Sequence, residues 1–408
     1  MKVLAYGFPV NSNFGGPSVL HGLACALREL DPACELVVYQ RDEPEHHVVS
    51  DMAFPVRRYP YQGEMKRLVR DWFRYFIRRR RPENPVERGF WEDFATSDVV
   101  ANVYAICFCC KLAGKNHRRP FLLSLKMAAR EFMLSLLARV SGKRSVKTTS
   151  SYGPVSTWGE KAAAWWAGMF CFGRLAAREE GSRDEMKRAL VLRKIPVFPD
   201  LANFMGDFRL EAGADGNVGV AVSYMSERQW GSSSGDYVQR MRQLVEYIVR
   251  RTGRHVLLIP NQTNCASGRD DIVVARDVLD GVGVDGVEML DISGLGGLGL
   301  KRQIARCEVV VSCRYHSCVA ALSSAVPVLT LGWHHKYVEL MKLYGQTERL
   351  IMSESCDAGV LERAFDGLWD GRAAIKEDLR RACVEVRGRV LKSVAEQFGL
   401  KGGTDEGR

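Results

Sequence analysis

Two apolar runs in the last third of the chain end in side chains suited to ionic chemistry. Residues 309–311 lead into Ser312, Cys313, Arg314, Tyr315 and His316, and residues 328–331 lead to His334, His335 and Lys336. In a parallel α/β sheet a ligand binds beyond the carboxyl ends of the strands, so adjacent strands would bring both clusters to one crevice. Arginine offers a planar fork to a carboxylate or phosphate, lysine a point cation to the same group, and histidine a proton near neutral pH. The set suits a small dianion or trianion undergoing proton-assisted chemistry. His316 is the histidine at a strand end with an arginine two residues before it, which makes it the candidate general acid, ahead of His334 and His335. The competing structural reading has Arg314 and His316 capping a helix and pairing with core carboxylates.

Other residues give weaker signals. In Asn13-Phe14-Gly15-Gly16 the two glycines would let the backbone approach a ligand at the start of a helix, or simply make a tight turn. No G-x-G-x-x-G fingerprint follows a strand here, so no dinucleotide is inferred. Arg178 and Ser182 are unremarkable by spacing, and Ser182 could be a helix N-cap. Trp165 and Trp166 read as core residues rather than a sugar platform. Of twelve cysteines, Cys25, Cys107, Cys307 and Cys318 sit in apolar runs, as small hydrophobes do. Cys107, Cys109 and Cys110 lack a matching His/Cys pair at zinc spacing, so no metal site is expected.

These residues need strands and helices to position them. "KVLAYG", a Gly-rich turn, the helical "VLHGLACALREL" and "CELVVYQ" give a βαβ rhythm with a parallel sheet. A second rhythm starts at "VGVAVSY" and runs through "HVLLIPNQ", "EVVVSCRYH" and "VPVLTLGW". Pro199 and Asp200 are read as the end of a strand in the first half. The polar stretch 209–217 is the linker between two α/β domains, 1–208 and 209–408, the second ending in C-terminal helices. A length of 408 residues supports two cores, and 46% hydrophobic with 26% charged residues excludes a largely disordered chain.

The formal net charge of +10 suits an anionic small molecule, an anionic lipid surface or nucleic acid. Residues 65–81 read as one basic amphipathic helix. Met65, Leu68, Val69, Trp72, Phe73 and Phe76 lie on one face, and cations including Arg78 to Arg81 on the other. It is read as docking on an anionic membrane or packing on the domain. The N-terminus does not read as a signal peptide. Residues 121–140 carry Lys126, Arg130 and Glu131 centrally and read as a helix of a soluble domain. The expectation is a cytoplasmic protein, peripheral at the inner face of the membrane.

Taken together, these pieces resemble the polysaccharide pyruvyl transferase family. "VVVSCRYHSCVAALSSAVPVLTLGWHHKYVELM" is similar to its strand, S-x-R-x-H, small-residue helix, G-x-P, strand and lysine, matched by Ser312, Arg314, His316, Pro327 and Lys336. "NFGGPSVL" looks like its N-terminal Asn/Gly turn. "AAREEGSRDEM" looks like its R-E-x-x-S motif at Arg178, Glu179 and Ser182, and "FPDLA" like its Pro-Asp strand end. There are three departures: Ala325 where glycine is usual, a conservative change; Asn261 where a histidine often follows the strand; and Gly-Gly in place of Gly-Asp in the turn.

The resemblance implies two Rossmann-like domains facing across a cleft, as in the glycosyltransferase-B architecture. It implies transfer of a pyruvyl group from phosphoenolpyruvate, a co-substrate, to a saccharide as a cyclic ketal, in cell-surface polysaccharide (exopolysaccharide) biosynthesis, with no cofactor or metal. His316 and Arg314 would be catalytic. Arg178, Lys336, Ser312, Tyr315, Asn13, Gly15 and Gly16 would bind substrates. The saccharide acceptor, lipid-linked or not, would sit on the N-terminal domain and phosphoenolpyruvate on the C-terminal one. Two other classes stay open: a glycosyltransferase using a nucleotide sugar, and a non-enzymatic basic protein binding anionic surfaces. RNA-binding signatures are absent, so no nucleic acid partner is expected.

Overall fold

The computed structural model describes residues 1–7, 13–41, 51–108, 121–190, 193–230, 234–263, 268–352 and 357–401. Cys109 and Cys110 lie outside them. The first half contains β1 (Lys2–Tyr6), α1 (Gly15–Leu30), β2 (Glu35–Gln40), β3 (Val56–Arg58), α2 (Met65–Phe76), α3 (Pro85–Thr96), β4 (Val99–Asn102), β5 (Ile106–Cys107), α4 (Phe121–Val140), β6 (Arg144–Tyr152), α5 (Trp158–Trp166), β7 (Arg174–Ala177) and α6 (Glu180–Lys187). Its parallel sheet has the order β3-β2-β1-β4-β6-β5, with β7 also paired to β6. Val3, Leu4, Ala5, Val99, Val100 and Ala101 are all buried, as central parallel strands covered on both faces require.

The second half contains β8 (Val218–Ala221), α7 (Tyr224–Gln229), α8 (Ser234–Thr252), β9 (Val256–Leu258), α9 (Asp271–Leu279), β10 (Val287–Met289), α10 (Gly297–Arg306), β11 (Val309–Ser312), α11 (Tyr315–Ser323), β12 (Val328–Gly332), α12 (His335–Leu343), β13 (Leu350–Met352) and α13 (Ala358–Phe398). Its sheet is β10-β9-β8-β11-β12-β13, again parallel throughout. The fold is therefore two parallel-sheet α/β units, as the alternating rhythm leads one to expect.

One core runs through both units, joining Leu20, Leu23 and Phe204 to Val220, Val310, Leu322 and Phe365. Within the first unit Gly22 lets α1 pack closely: a Cβ there would fall 1.8 Å from the carbonyl oxygen of Leu201. The 41-residue α13 starts at the Asp357 cap and ends at Gly399 in the left-handed region (φ 68°). Its last carbonyl, at Phe398, accepts a hydrogen bond from Arg144 on β6, so the helix spans from one sheet to the other. Among the described residues no helix is long and apolar enough to cross a membrane.

The structure corrects four expectations. The basic helix stops at Phe76: Arg79 has φ 56°, and Pro82 disfavours helix in the residue before it. Its aromatics Trp72 and Phe76 pack with Leu68, Trp91 and Phe94, and Trp72 Nε1 donates to Ser141 Oγ at 2.8 Å, so they are not free to enter a bilayer. Residues 195–200 form only an isolated bridge, Ala177 to Val197, because Pro196 and Pro199 have no N–H for a ladder. Trp165 is exposed rather than core, whereas Trp166 packs on the cluster of Phe132 and Leu190.

The fourth concerns Ala325, which has φ 59°. A residue with a Cβ is disfavoured there by roughly 1–2 kcal/mol relative to glycine, so the departure is not conservative. Ala325→Gly should raise stability by about 1 kcal/mol, less whatever glycine gains in the unfolded chain. Equilibrium denaturation with an unchanged slope checks it.

Candidate functional site

Strands β11 and β12 pair in parallel, with Val310 opposite Val328 and Ser312 opposite Thr330, so their carboxyl ends deliver Arg314 and Lys336 side by side. Arg314 is the N-cap residue of α11. Its guanidinium pairs with the fully buried carboxylate of Asp271, yet its Nε is buried with no partner. Asp271 also accepts from the backbone N–H groups of Tyr224, Asn261 and Gln262. The structural reading of Arg314 is thus met through Nη2, while Nε is left without a partner.

Lys336 lies on the first turn of α12, with Nζ over the rings of Trp333, Tyr315 and Tyr337 at 4.9, 5.2 and 5.5 Å. These π faces attract the cation, and no ion pair of Lys336 with a carboxylate is formed among the described residues. Burial, with Arg178 and Arg314 nearby, lowers its pKa to about 7. His334 is the N-cap of α12 and accepts from Lys336 N–H at 3.3 Å. Burial and the neighbouring His335 and Lys336 lower His334 to about 4, which fits an acceptor.

The first unit contributes Arg178, at the end of β7. Its Nη1 donates to Asp200 Oδ2 at 2.7 Å, Nη2 to Ser151 Oγ at 2.6 Å and Nε to Glu179 Oε1 at 3.0 Å. The guanidinium carbon also sits 4.8 Å from the Tyr315 ring centre, so Arg178 and Lys336 meet the same ring from different units. Burial raises the Glu179 pKa, but Arg178 and hydrogen bonds from Ser151 and Ser182 outweigh it and hold the carboxyl at about 2. Ser182 is not an N-cap; it lies within α6, donating to Glu179 Oε2 at 2.6 Å and accepting from Tyr152 N–H at 2.9 Å.

His316 stands between the units. Its Nε2 is buried without a partner, and the other side of the ring lies against Gly15 at the start of α1. A Cβ at Gly15 would fall 2.4 Å from His316 Nδ1, so the glycine serves close approach. Asn13 Oδ1 accepts from Gly15 N–H at 2.7 Å, and Asn13 bridges to Gln262 across the units. Asn261 is buried, donates from Nδ2 to Ser317 Oγ at 2.8 Å and accepts Phe14 N–H on its carbonyl. Burial lowers the His316 pKa to about 4; Asp200 opposes this, and Arg178, Lys336 and Arg314 add to it. The free protein therefore holds a neutral imidazole at pH 7.

The arrangement thus gathers Arg178, Arg314, Tyr315, His316 and Lys336, with Asn13 and Gly15 beside them. Gly16 is buried in α1. Ser312 is buried, and its hydroxyl is used within its own turn, accepting Arg314 N–H at 3.1 Å. Reasoning from sequence did not identify Asp271, Ser151, Trp333 or Tyr337 as partners. No metal-binding cluster occurs among the described residues. Gly15→Ala should displace the imidazole and lower kcat/KM by about 10–100-fold, because small misplacements of a reacting group are costly. Unaltered steady-state kinetics in a folded variant would show that the contact is irrelevant.

Known proteins share the fold of this chain. MnaA of S. aureus, solved with UDP, superposes with a TM-score of 0.58 at 11% identity, covering 100% of each chain. The UDP-GlcNAc 2-epimerase of Methanocaldococcus jannaschii gives 0.55 at 11% identity, covering 90% of this chain and 92% of that one. MurG of Acinetobacter baumannii gives 0.50 at 10% identity, covering 98% and 99%. At such identities the likeness is one of fold, the glycosyltransferase-B arrangement of two α/β units. The amylovoran biosynthesis protein AmsJ of Erwinia amylovora is 22% identical over 237 residues, which span 53% of this chain and 57% of that protein. The family model of polysaccharide pyruvyl transferases matches residues 26–335, from the middle of α1 through the strand ends bearing Arg314 and His316 to the start of α12, and the chain belongs to that family.

Proposed function

We propose that the protein transfers the pyruvyl group of phosphoenolpyruvate to two hydroxyls of a saccharide acceptor, forming a cyclic ketal and releasing phosphate. The observation that carries this reading is the convergence, at the strand ends of the second unit and opposite Arg178 of the first, of Arg314 with a free Nε, His316 with a free Nε2 and Lys336 held only by aromatic rings. Phosphoenolpyruvate carries a carboxylate and a phosphate, which an arginine edge and a lysine can hold together. The second unit is the donor side, and the first unit, whose Arg178 reaches Tyr315, is the acceptor side.

In this mechanism His316 delivers a proton to the methylene carbon. The electron pair of the C=C bond takes it, leaving an oxocarbenium-like centre at C2. One sugar hydroxyl adds there and loses its proton. Phosphate then departs with its bonding pair, beside the cations that stabilise its charge. The second hydroxyl adds at the same carbon, and its proton balances the one consumed at the methylene. Each hydroxyl has supplied one proton, one ending on the methyl group and one on phosphate.

A neutral imidazole cannot act as the acid, so the donor must change its protonation. Burial is the main cause of the lowered pKa values of His316 and Lys336, and an anion placed among Arg178, Arg314 and Lys336 would cancel the repulsion that adds to it, raising both. Donor binding at pH 7 should therefore take up protons, on the order of one per site. Titration calorimetry in buffers of different ionisation enthalpy checks this; heats independent of the buffer would contradict it. The reading itself is tested by thermal denaturation with ligands. Phosphoenolpyruvate should raise the melting temperature and UDP should not; the reverse result favours a nucleotide-sugar glycosyltransferase.

A further inference from the structure

We infer that the face formed by α4, α5 and the turn after α5 docks this protein on an anionic lipid bilayer. Trp158, Trp165, Met169 and Phe170 are all exposed there, Trp158 at 81%. Trp158 and Trp165, seven residues apart, lie on the same face of α5. Gly159 packs α5 onto the start of α4, where a Cβ would lie 3.0 Å from Phe121 Cα. The rings of Trp165 and Phe170 meet at 5.4 Å, and Arg139 near the end of α4 donates to the Met169 carbonyl at 2.8 Å. Large apolar side chains gathered on a surface mark an interaction site, and tryptophans suit the boundary between headgroups and acyl chains.

The charges on these elements identify the partner. Arg139, which reaches the Met169 carbonyl, is exposed, and Lys161 lies over the Trp158 ring at 5.2 Å. Both acidic residues of the two helices are turned inward. Glu160 is buried and accepts from the N–H groups of Ser156 and Thr157 as part of a capping box. Glu131 faces Cys107, and burial raises its pKa to about 7. The outward face is therefore apolar and cationic, without a carboxylate from α4 or α5. A twofold dimer through it would set cations against cations, because such an interface meets itself. An anionic bilayer offers both an apolar phase and opposite charge.

The surface is joined to the site by a short stretch of chain. Trp158 follows by seven residues Ser151, which bonds to Arg178 and Glu179 at the end of β6. Docking here would present that end of the first unit to an acceptor held in the membrane. The basic residues after α2 are not part of this surface, and the inference does not depend on the identity of the donor.

Co-sedimentation with vesicles of phosphatidylcholine containing phosphatidylglycerol, and with phosphatidylcholine alone, tests it. Wild type should pellet with the anionic vesicles at low salt, release as salt rises, and show a blue shift in tryptophan emission. Trp158→Ser with Trp165→Ser should weaken binding by about tenfold or more, and Lys161→Gln with Arg139→Gln should weaken it by several-fold. The charge pair keeps the test open if the tryptophan variant does not fold, which its melting temperature will report. Arg78 to Arg81 changed to Gln should bind like wild type. The inference is overturned if wild type stays in the supernatant at low salt, if the Arg78–Arg81 variant alone loses binding, or if light scattering finds a dimer that the patch variants dissociate.

Discussion

His316→Ala is expected to lower turnover by about 10²–10⁴-fold, the usual worth of a positioned acid, with phosphoenolpyruvate affinity within a few-fold of wild type. The split between the two constants follows from position. The ring's Nε2 is unpartnered, and the charge proposed to bind the donor lies on Arg314 and Lys336. Single-turnover measurements at saturating donor separate the effects. Near-normal turnover would move the acid role to Lys336, whose pKa of about 7 leaves it partly protonated, because His334 already accepts the N–H of Lys336 as a helix cap.

Arg178→Ala carries the largest expected effect on stability. It leaves Glu179 and Asp200 as buried carboxylates without their cation, and breaking such a cluster costs about 3–5 kcal/mol. The pH dependence has a definite sign. Glu179 is held at about 2, below its ordinary 4.5, so its contribution is present in full above 4.5 and lost as pH falls toward 2. In the variant that acid-labile part should shrink. Donor affinity should also fall by about tenfold, since a cation 4.8 Å from Tyr315 has gone. Chemical denaturation at several pH values and a donor titration check the two halves. Lost stability with unchanged donor affinity would leave Arg178 a purely structural residue.

The sequence carried the parts of this site that depend on local pattern. Residues 309–311 and 328–331 are apolar on both faces, and such strands lie parallel in a covered sheet, so Arg314 and Lys336 at their ends became neighbours. What could not be read is what depends on distant chain. Asp271 opens a helix 43 residues before Arg314, and nothing in its own surroundings marks it as the guanidinium's partner. The role of Gly15 needs the two units to meet at His316. In the helix beginning at Met65 the apolar spacing ends at Phe76 with the helix itself, whereas the cations continue to Arg81, so charge alone overstates its length. Glu179 and Asp200 lay in motifs that the family resemblance flagged, but their shared hold on Arg178 needed coordinates.

The central claim is the transfer itself. Incubating the protein with phosphoenolpyruvate and a panel of lipid-linked and nucleotide-bound saccharides, followed by mass spectrometry and a phosphate assay, tests it most directly. The account predicts that one acceptor gains a single pyruvyl ketal for each phosphate released, and that His316→Ala abolishes both signals together. Phosphoenolpyruvate that is neither consumed nor bound, with a sugar transferred instead from a nucleotide donor, would contradict it.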